Sequence, residues 1–182
     1  MKIEVPKSKA TRLINPGGVI LVSSCYKDKT NIITLAWHTP ISKDPGLVGV
    51  AIAKSHLSYE LIKKSEEFII NIPDVDLLKQ TIACGSISGR KVDKFRESGL
   101  TAEKADKLIK TPRIGECIGH IECYLRDIKD IGDHGMFIGE IISASAREGF
   151  FDDTWLVDKV NLLFHLGGKF FTSSGEVIEA KR

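Results

Sequence analysis

Long apolar runs are missing from this chain. The longest, "VILV" (19–22) and "NLLF" (161–164), fall far short of the roughly 20 residues that cross a bilayer. The first twelve residues, "MKIEVPKSKATR", lack the apolar centre of a signal peptide. The expectation is therefore no membrane contact and a cytoplasmic location. Charge of one sign is also missing: 26 basic residues stand against 24 acidic ones, spread along the chain. So balanced a surface argues against nucleic acid as a partner. Cysteine is scarce, at four residues (Cys25, Cys84, Cys117, Cys123), none in a Cys-x-x-Cys pair. That excludes a zinc ribbon and a thioredoxin-type motif and predicts free, buried thiols. Cys117 and Cys123 are near enough in sequence to pair, but a cytoplasmic setting argues against it.

Catalytic signatures are absent too. There is no His-x-x-x-His and no His/Glu cluster, so no metal is expected. There is no Gly-x-Ser-x-Gly nucleophile elbow. There is no Gly-x-Gly-x-x-Gly, which excludes a Rossmann nicotinamide site.

Turning to what is there, the 182 residues suit one domain, 1–182, with no repeat or linker. Strands are predicted at 18–25, 31–37, 47–53 and 67–72, with a hairpin turn at "DKTN" (28–31). "TPISKDPG" (39–46), with two prolines and a glycine, reads as a loop. Short helices are predicted at "SYELIKKS", at "DVDLLKQTIACG" ending on Gly85, and at "KVDKFRES" ending on Gly99. "LTAEKADKLIKTPRIGE" (100–116) is polar and reads as an ordered surface excursion. In "GHIECYLRDIKDI" (119–131), Ile121, Cys123 and Leu125 alternate with His120, Glu122, Tyr124 and Arg126, a half-buried antiparallel pattern. Gly132-Asp133 then turns into a strand over 133–146. Some six antiparallel strands with helices inserted predict an all-β barrel, not a doubly wound sheet.

Two stretches are suited to an anion. At 54–58 a strand hands over to a helix N-terminus, where unpaired N–H groups meet Lys54, Ser55, His56 and Ser58. The bland alternative is a serine N-cap beside a solvated lysine. In "CGSISGRK" (84–91), glycines and serines precede Arg90 and Lys91. It is not a P-loop, because three residues separate the glycines. A flexible helix connection is its alternative. Gly49, Ala51 and Ala53 put small residues on one strand face, where a flat ligand or a second sheet could lie close. His134 and His165 stand among glycines and could serve as proton donor, ligand contact or structural residue. Together these predict a phosphate-bearing planar ligand, either flavin mononucleotide (FMN) or pyridoxal phosphate.

The order of several short motifs resembles the flavin reductase-like family of FMN-binding split barrels, which includes flavoredoxin. They are "PGGVILVSS" with "NIITLAWHTPIS", "KSHLSYELI" with "EFIINIP", "SGRKVDKF", and "IECYLRDI" with "GDHGMFIGEI". The resemblance runs from about residue 15 to residue 172. It implies a mainly β fold, a six-stranded antiparallel Greek-key split β-barrel with short helical excursions, that holds FMN non-covalently as a homodimer. By the same resemblance, Asn31, Ile32 and Thr34 run beside the isoalloxazine, and Trp37 closes its far end. Lys54, Ser55, His56 and Ser58 take the phosphate, with Ser86, Ser88, Gly89, Arg90, Lys91 and Lys94 on its second side. His134 lies near the flavin face as the catalytic candidate, and His165 and Gly168 form a C-terminal piece. The family often ends in an aromatic pair containing tyrosine, where this chain has Phe170-Phe171. The implied activity is electron transfer from NAD(P)H through FMN to a flavin, ferric or other small acceptor. The alternative is a flavoredoxin-like carrier fed by a redox protein. A pyridoxamine-phosphate oxidase-like enzyme and a barrel without cofactor complete the range.

Overall fold

A computed structural model describes residues 2–180. Its strands are β1 (Gly17–Gly18), β2 (Ile20–Tyr26), β3 (Lys29–Leu35), β4 (His38–Lys43), β5 (Gly46–Ala53), β6 (Glu67–Ile72), β7 (Ala102–Glu103), β8 (Arg113–Ile114), β9 (Gly119–Ile131), β10 (His134–Ala146), β11 (Leu163–Gly167) and β12 (Phe170–Ser173). The helices are α1 (Lys7–Ala10), α2 (Leu57–Ser65), α3 (Leu78–Ser86) and α4 (Lys94–Ser98). Among the described residues no helix is long and apolar enough to cross a membrane.

Seven strands form one antiparallel sheet in the order β3-β2-β6-β9-β10-β5-β4. The sheet curls until its ends meet. β3 packs against β5, and the carbonyl of Trp37 just beyond β3 accepts the Ala51 N–H at 2.9 Å. The barrel is mainly β and antiparallel, as the resemblance implied. β2 and β6 are buried along nearly their whole length, because apolar material covers both faces. Inside lie Val22, Val50, Ile52, Phe68 and Phe137. Outside, Leu21 and Ile32 pack under Leu77, Cys84, Phe95 and Ile114. That second cluster ties α3 and α4 to the barrel wall.

The stretch 39–46, expected as a loop, is mostly strand. β4 pairs with β5 from His38 opposite Val50 to Lys43 opposite Gly46. Pro40 is accommodated because β4 is an edge strand, and the register shifts just after it. The Gly132-Asp133 turn joins β9 and β10, with Gly132 at φ +58° and Ile131 paired to His134. The tail holds more structure than its sequence suggests. β11 and β12 form a hairpin around Gly167 (φ +117°) and Gly168 (φ +61°), and β11 pairs with β1.

The polar excursion is anchored rather than loose. Glu122, expected on the wet face of its strand, is 2% exposed. Its carboxylate accepts the backbone N–H groups of Asp106, Lys107 and Leu108 at 2.6–2.9 Å. Glu67, also buried, accepts those of Lys110 and Thr111. Two acidic side chains thus replace the backbone acceptors that an irregular segment lacks, and Leu108 packs on Ile69 beneath them. All four cysteines are free and buried. Burial raises every one of their thiols above the ordinary value, Cys123 to about 12.

Candidate functional site

Two cavities open beside the start of the barrel wall, and Thr34 on β3 lines both. The first, a cleft of about 220 Å³, lies between the N-terminus of α2 and the end of α3. Asn31, Ile33 and Thr34 of β3 line it, with Ser55, His56 and Leu57 from the α2 corner and Gly85 to Gly89 from the α3 end. His56 takes the N-cap position of α2 but makes no capping hydrogen bond, so no cap side chain satisfies the first-turn N–H groups.

Lys94, at the start of α4, is the cleft's cation. It is 7% exposed and lines the cleft. Its Nζ donates to the carbonyls of Ile32 at 2.8 Å and Cys84 at 2.5 Å. Among the described residues it has no carboxylate partner within 4 Å. Burial holds its ammonium below the usual lysine range, opposed by the nearby Cys84 thiol. A desolvated cation with one donor left over and no counter-charge is costly unless an anion completes it. Burial first, then the charge of Lys94, also lowers the His56 imidazole.

Asn31 adds a second unmet requirement. It is 3% exposed and donates from Nδ2 to Ser58 Oγ at 2.8 Å, while Oδ1 has no partner. Gly89 lies against that oxygen: a Cβ there would stand 1.9 Å from Asn31 Oδ1. At Gly85 a Cβ would come within 3.3 Å of Thr34. The glycines thus keep the cleft open by lacking side chains.

The second cavity is a groove of about 370 Å³. Val19, Leu35, Ala36, Ala51 and Phe171 make it apolar, and Trp37, His134 and His165 supply rings. Trp37 and His134 lie with ring centres 5.2 Å apart, and His165 sits 5.0 Å from Phe171. His134 Nδ1 is 2.7 Å from Asp133, whose carboxyl it holds below the usual range. Asn15 links two walls: its Oδ1 accepts from Trp37 Nε1 at 2.6 Å and its Nδ2 faces His165 Nδ1 at 3.2 Å. His165 Nδ1 is then the acceptor, which leaves Nε2–H to donate to the Gly168 carbonyl at 3.0 Å. An apolar slot joined to a cation-bearing cleft suits a flat ring that carries a phosphate on a short chain.

Residues 12–172 match the flavin reductase like domain. The chain belongs to the flavin reductase-like family. It is 34% identical to an uncharacterised protein of Pyrococcus abyssi over 171 residues, 93% of this chain and 98% of that protein. It is 28% identical to a Pseudomonas putida flavin reductase over 127 residues, 69% of this chain and 71% of that one. Among solved structures it resembles flavoredoxin from Methanosarcina acetivorans, with a TM-score of 0.87 and 28% identity over 99% of this chain and 95% of that one.

Set against the family expectation, the structure brings most of the named residues to the two cavities. Asn31, Thr34, Ser55, His56, Ser86, Ser88, Gly89 and Lys94 line the cleft, and Trp37, His134, His165 and Gly168 line the groove. Five others are placed elsewhere. Ile32 points into the outer core, and Ile33 lines the cleft in its stead. Lys54 pairs with Asp130 and Arg90 with Glu60, both away from the cleft. Lys91 is exposed beside it, and Ser58 is buried under Asn31. Of the small-residue face only Ala51 reaches the groove; Gly49 is packed closely by Ile41 and Met136. Sequence reasoning missed Asn15, Thr11 and Arg12, which belong to an N-terminal segment with no motif of its own.

Proposed function

We propose that this chain binds FMN, with the phosphate in the cleft and the isoalloxazine in the groove, and acts as an FMN-dependent oxidoreductase. The uncompensated buried charge of Lys94 carries this reading. A phosphate completes its coordination and meets the uncapped N-terminus of α2 and the hydroxyls of Ser55 and Ser88. Asn31 Oδ1, a buried acceptor without a partner beside the cleft, would meet a ribityl hydroxyl only with a small shift of Asn31 or Gly89. When bound, FMN takes electrons from a donor and hands them to an acceptor, so the protein needs only to bind, orient and shield it. Val19, Leu35 and Phe171 keep water from one side of the slot. Trp37 is held by its hydrogen bond to Asn15, and His134, backed by Asp133, would hold or supply a proton at the open side.

The donor in this reading is NAD(P)H and the acceptor a flavin, a ferric chelate or another small molecule. The likeness to flavoredoxin supports a second reading, an electron carrier served by a redox protein. The deciding experiment is the visible spectrum of purified protein, anaerobically, with NADH, NADPH and dithionite added in turn. Bleaching by a nicotinamide supports the reductase; bleaching by dithionite alone supports the carrier. A protein that stays colourless and refuses added FMN overturns both.

We further infer a homodimer. Leu13, Ile14, Leu166 and Phe170 are exposed by 41% to 86% next to groove residues, and a second copy would cover them. Sedimentation equilibrium checks this, and a monomer at micromolar concentration refutes it. Four free thiols suit a cytoplasmic setting.

A further inference from the structure

Each of the two cavities carries one basic side chain, Lys or Arg, and neither has an acidic residue in its lining among the described residues. The cation of the cleft is Lys94; that of the groove is Arg12. Arg12 follows α1 in a short helical turn, Thr11–Leu13, and its aliphatic stem lies flat on the β11–β12 hairpin. A Cβ at Gly167 would sit 3.1 Å from Arg12 Cδ, and one at Gly168 3.9 Å from a terminal guanidinium nitrogen. The glycines at that turn therefore give the arginine its bed, as well as the left-handed φ values that the hairpin needs. Among the described residues, Arg12 has no carboxylate within 4 Å and its guanidinium makes no protein hydrogen bond. Thr11, beside it in the groove wall, makes no side-chain hydrogen bond among the described residues either. Among the described residues, Lys169, next in sequence to Gly168, forms no ion pair.

FMN has a single phosphate, and Lys94 in the cleft already accounts for it. Thr34 lines both cavities, so a cofactor seated at Lys94 extends into the groove, whose lining includes Arg12, with no second phosphate to offer. We propose that Arg12, with Thr11, forms a second anion seat at the mouth of the groove, and that it takes the phosphate of the reaction partner, not of the bound cofactor. A planar five-donor guanidinium suits a phosphate better than an ammonium would. The co-substrate is thus a phosphate-bearing molecule whose other end reaches the ring slot. This rests on the FMN reading above. The phosphate can belong to the electron donor, a nicotinamide nucleotide, or to the acceptor, free FMN.

The test uses inorganic pyrophosphate as a probe, titrated calorimetrically at low salt into FMN-loaded protein and into FMN-free Lys94→Met protein. In both backgrounds Arg12→Gln should weaken pyrophosphate binding at least tenfold, while Arg12→Lys recovers part of it. The FMN dissociation constant should stay within twofold in Arg12→Gln and rise at least tenfold in Lys94→Met. Undiminished pyrophosphate binding in Arg12→Gln overturns the proposal. So does a loss of FMN affinity in Arg12→Gln alone, which would put the cofactor phosphate at Arg12. If the wild-type protein takes no FMN, the FMN reading fails, but the Lys94→Met titration still reports on the Arg12 seat. In turnover, a raised KM for NADPH places the phosphate on the donor, and a raised KM for free FMN places it on the acceptor. Neither rising overturns the proposal.

Discussion

The decisive residue is one whose sequence context is unremarkable. Lys94 lies in "KVDKF", where only the resemblance gave it a place beside the phosphate and its own neighbours single it out no further than Arg90 or Lys91. Folding buries it against two carbonyls with no counter-charge. Lys94→Met should therefore weaken FMN by at least tenfold, the loss of a charged hydrogen bond of roughly 1.5–3 kcal/mol. Riboflavin, which lacks the phosphate, should bind as before. Fluorescence titration of both ligands checks this, and equal losses would move the phosphate elsewhere. Urea unfolding of the FMN-free variant should show a loss of no more than about 1 kcal/mol, because removal of an unpaired buried charge offsets the donor lost to the Ile32 and Cys84 carbonyls. Gly89→Ala attacks the same cleft by crowding. Its Cβ would overlap Asn31 Oδ1, so Asn31 must move and FMN binding should fall at least tenfold, with near-normal binding as the refuting result. His134→Ala should slow turnover more than it weakens FMN, since His134 lines the ring slot and not the phosphate cleft. Unchanged turnover would leave it a purely structural partner of Asp133 and Trp37.

At the scale of elements, the excursion over 100–116 shows how a polar segment becomes part of the fold. Local pattern marks it as surface because its own residues are polar. Its order comes from Glu122 and Glu67, which the alternation on β9 and the run on β6 do not distinguish from ordinary strand residues. Glu122→Leu would leave the N–H groups of Asp106, Lys107 and Leu108 without their acceptor. A loss of about 3 kcal/mol is expected, which lowers Tm by roughly 6–12 °C in a chain of this size. Hydrogen exchange at residues 106–108 should speed up first. A Tm within 2–3 °C of the parent, on the order of 1 kcal/mol, would mean that other contacts hold the segment. The edge strand β4 is the companion case. Two prolines argue for a loop locally, and only the missing neighbour on one side lets a strand tolerate Pro40.

For the whole molecule, the expected dependence on acidity follows from two imidazoles. Burial lowers both His56 and His120 below the ordinary histidine value, and Arg113 lowers His120 further against its bond to the Ile114 carbonyl. The folded state then binds fewer protons than the unfolded state between the two pKa values. Stability rises with pH in that window and falls as pH drops below about 6.5. FMN-free protein should melt at lower temperature at pH 5 than at pH 7, and His120→Gln should shrink the difference. An equal drop in the variant would assign the effect to other groups. The sequence by itself determined β2, β3, β5, β6, β9 and β10 but not the edge strand β4, and it determined the order of the motifs, because alternation and turn chemistry are local properties. It also marked the α2 corner and the α3 end as anion-friendly, since hydroxyls, glycines and a helix start are visible along the chain. Only the tertiary structure decided which basic residues are paired with carboxylates and which line the cavities. Lys54 and Arg90, beside the motifs, are taken by Asp130 and Glu60. Among the described residues, Lys94 and Arg12 line the cavities without a carboxylate partner. Charge pairing depends on which side chains folding brings together, and residues 30 or 76 positions apart (Glu60 to Arg90, Lys54 to Asp130) carry no local sign of it.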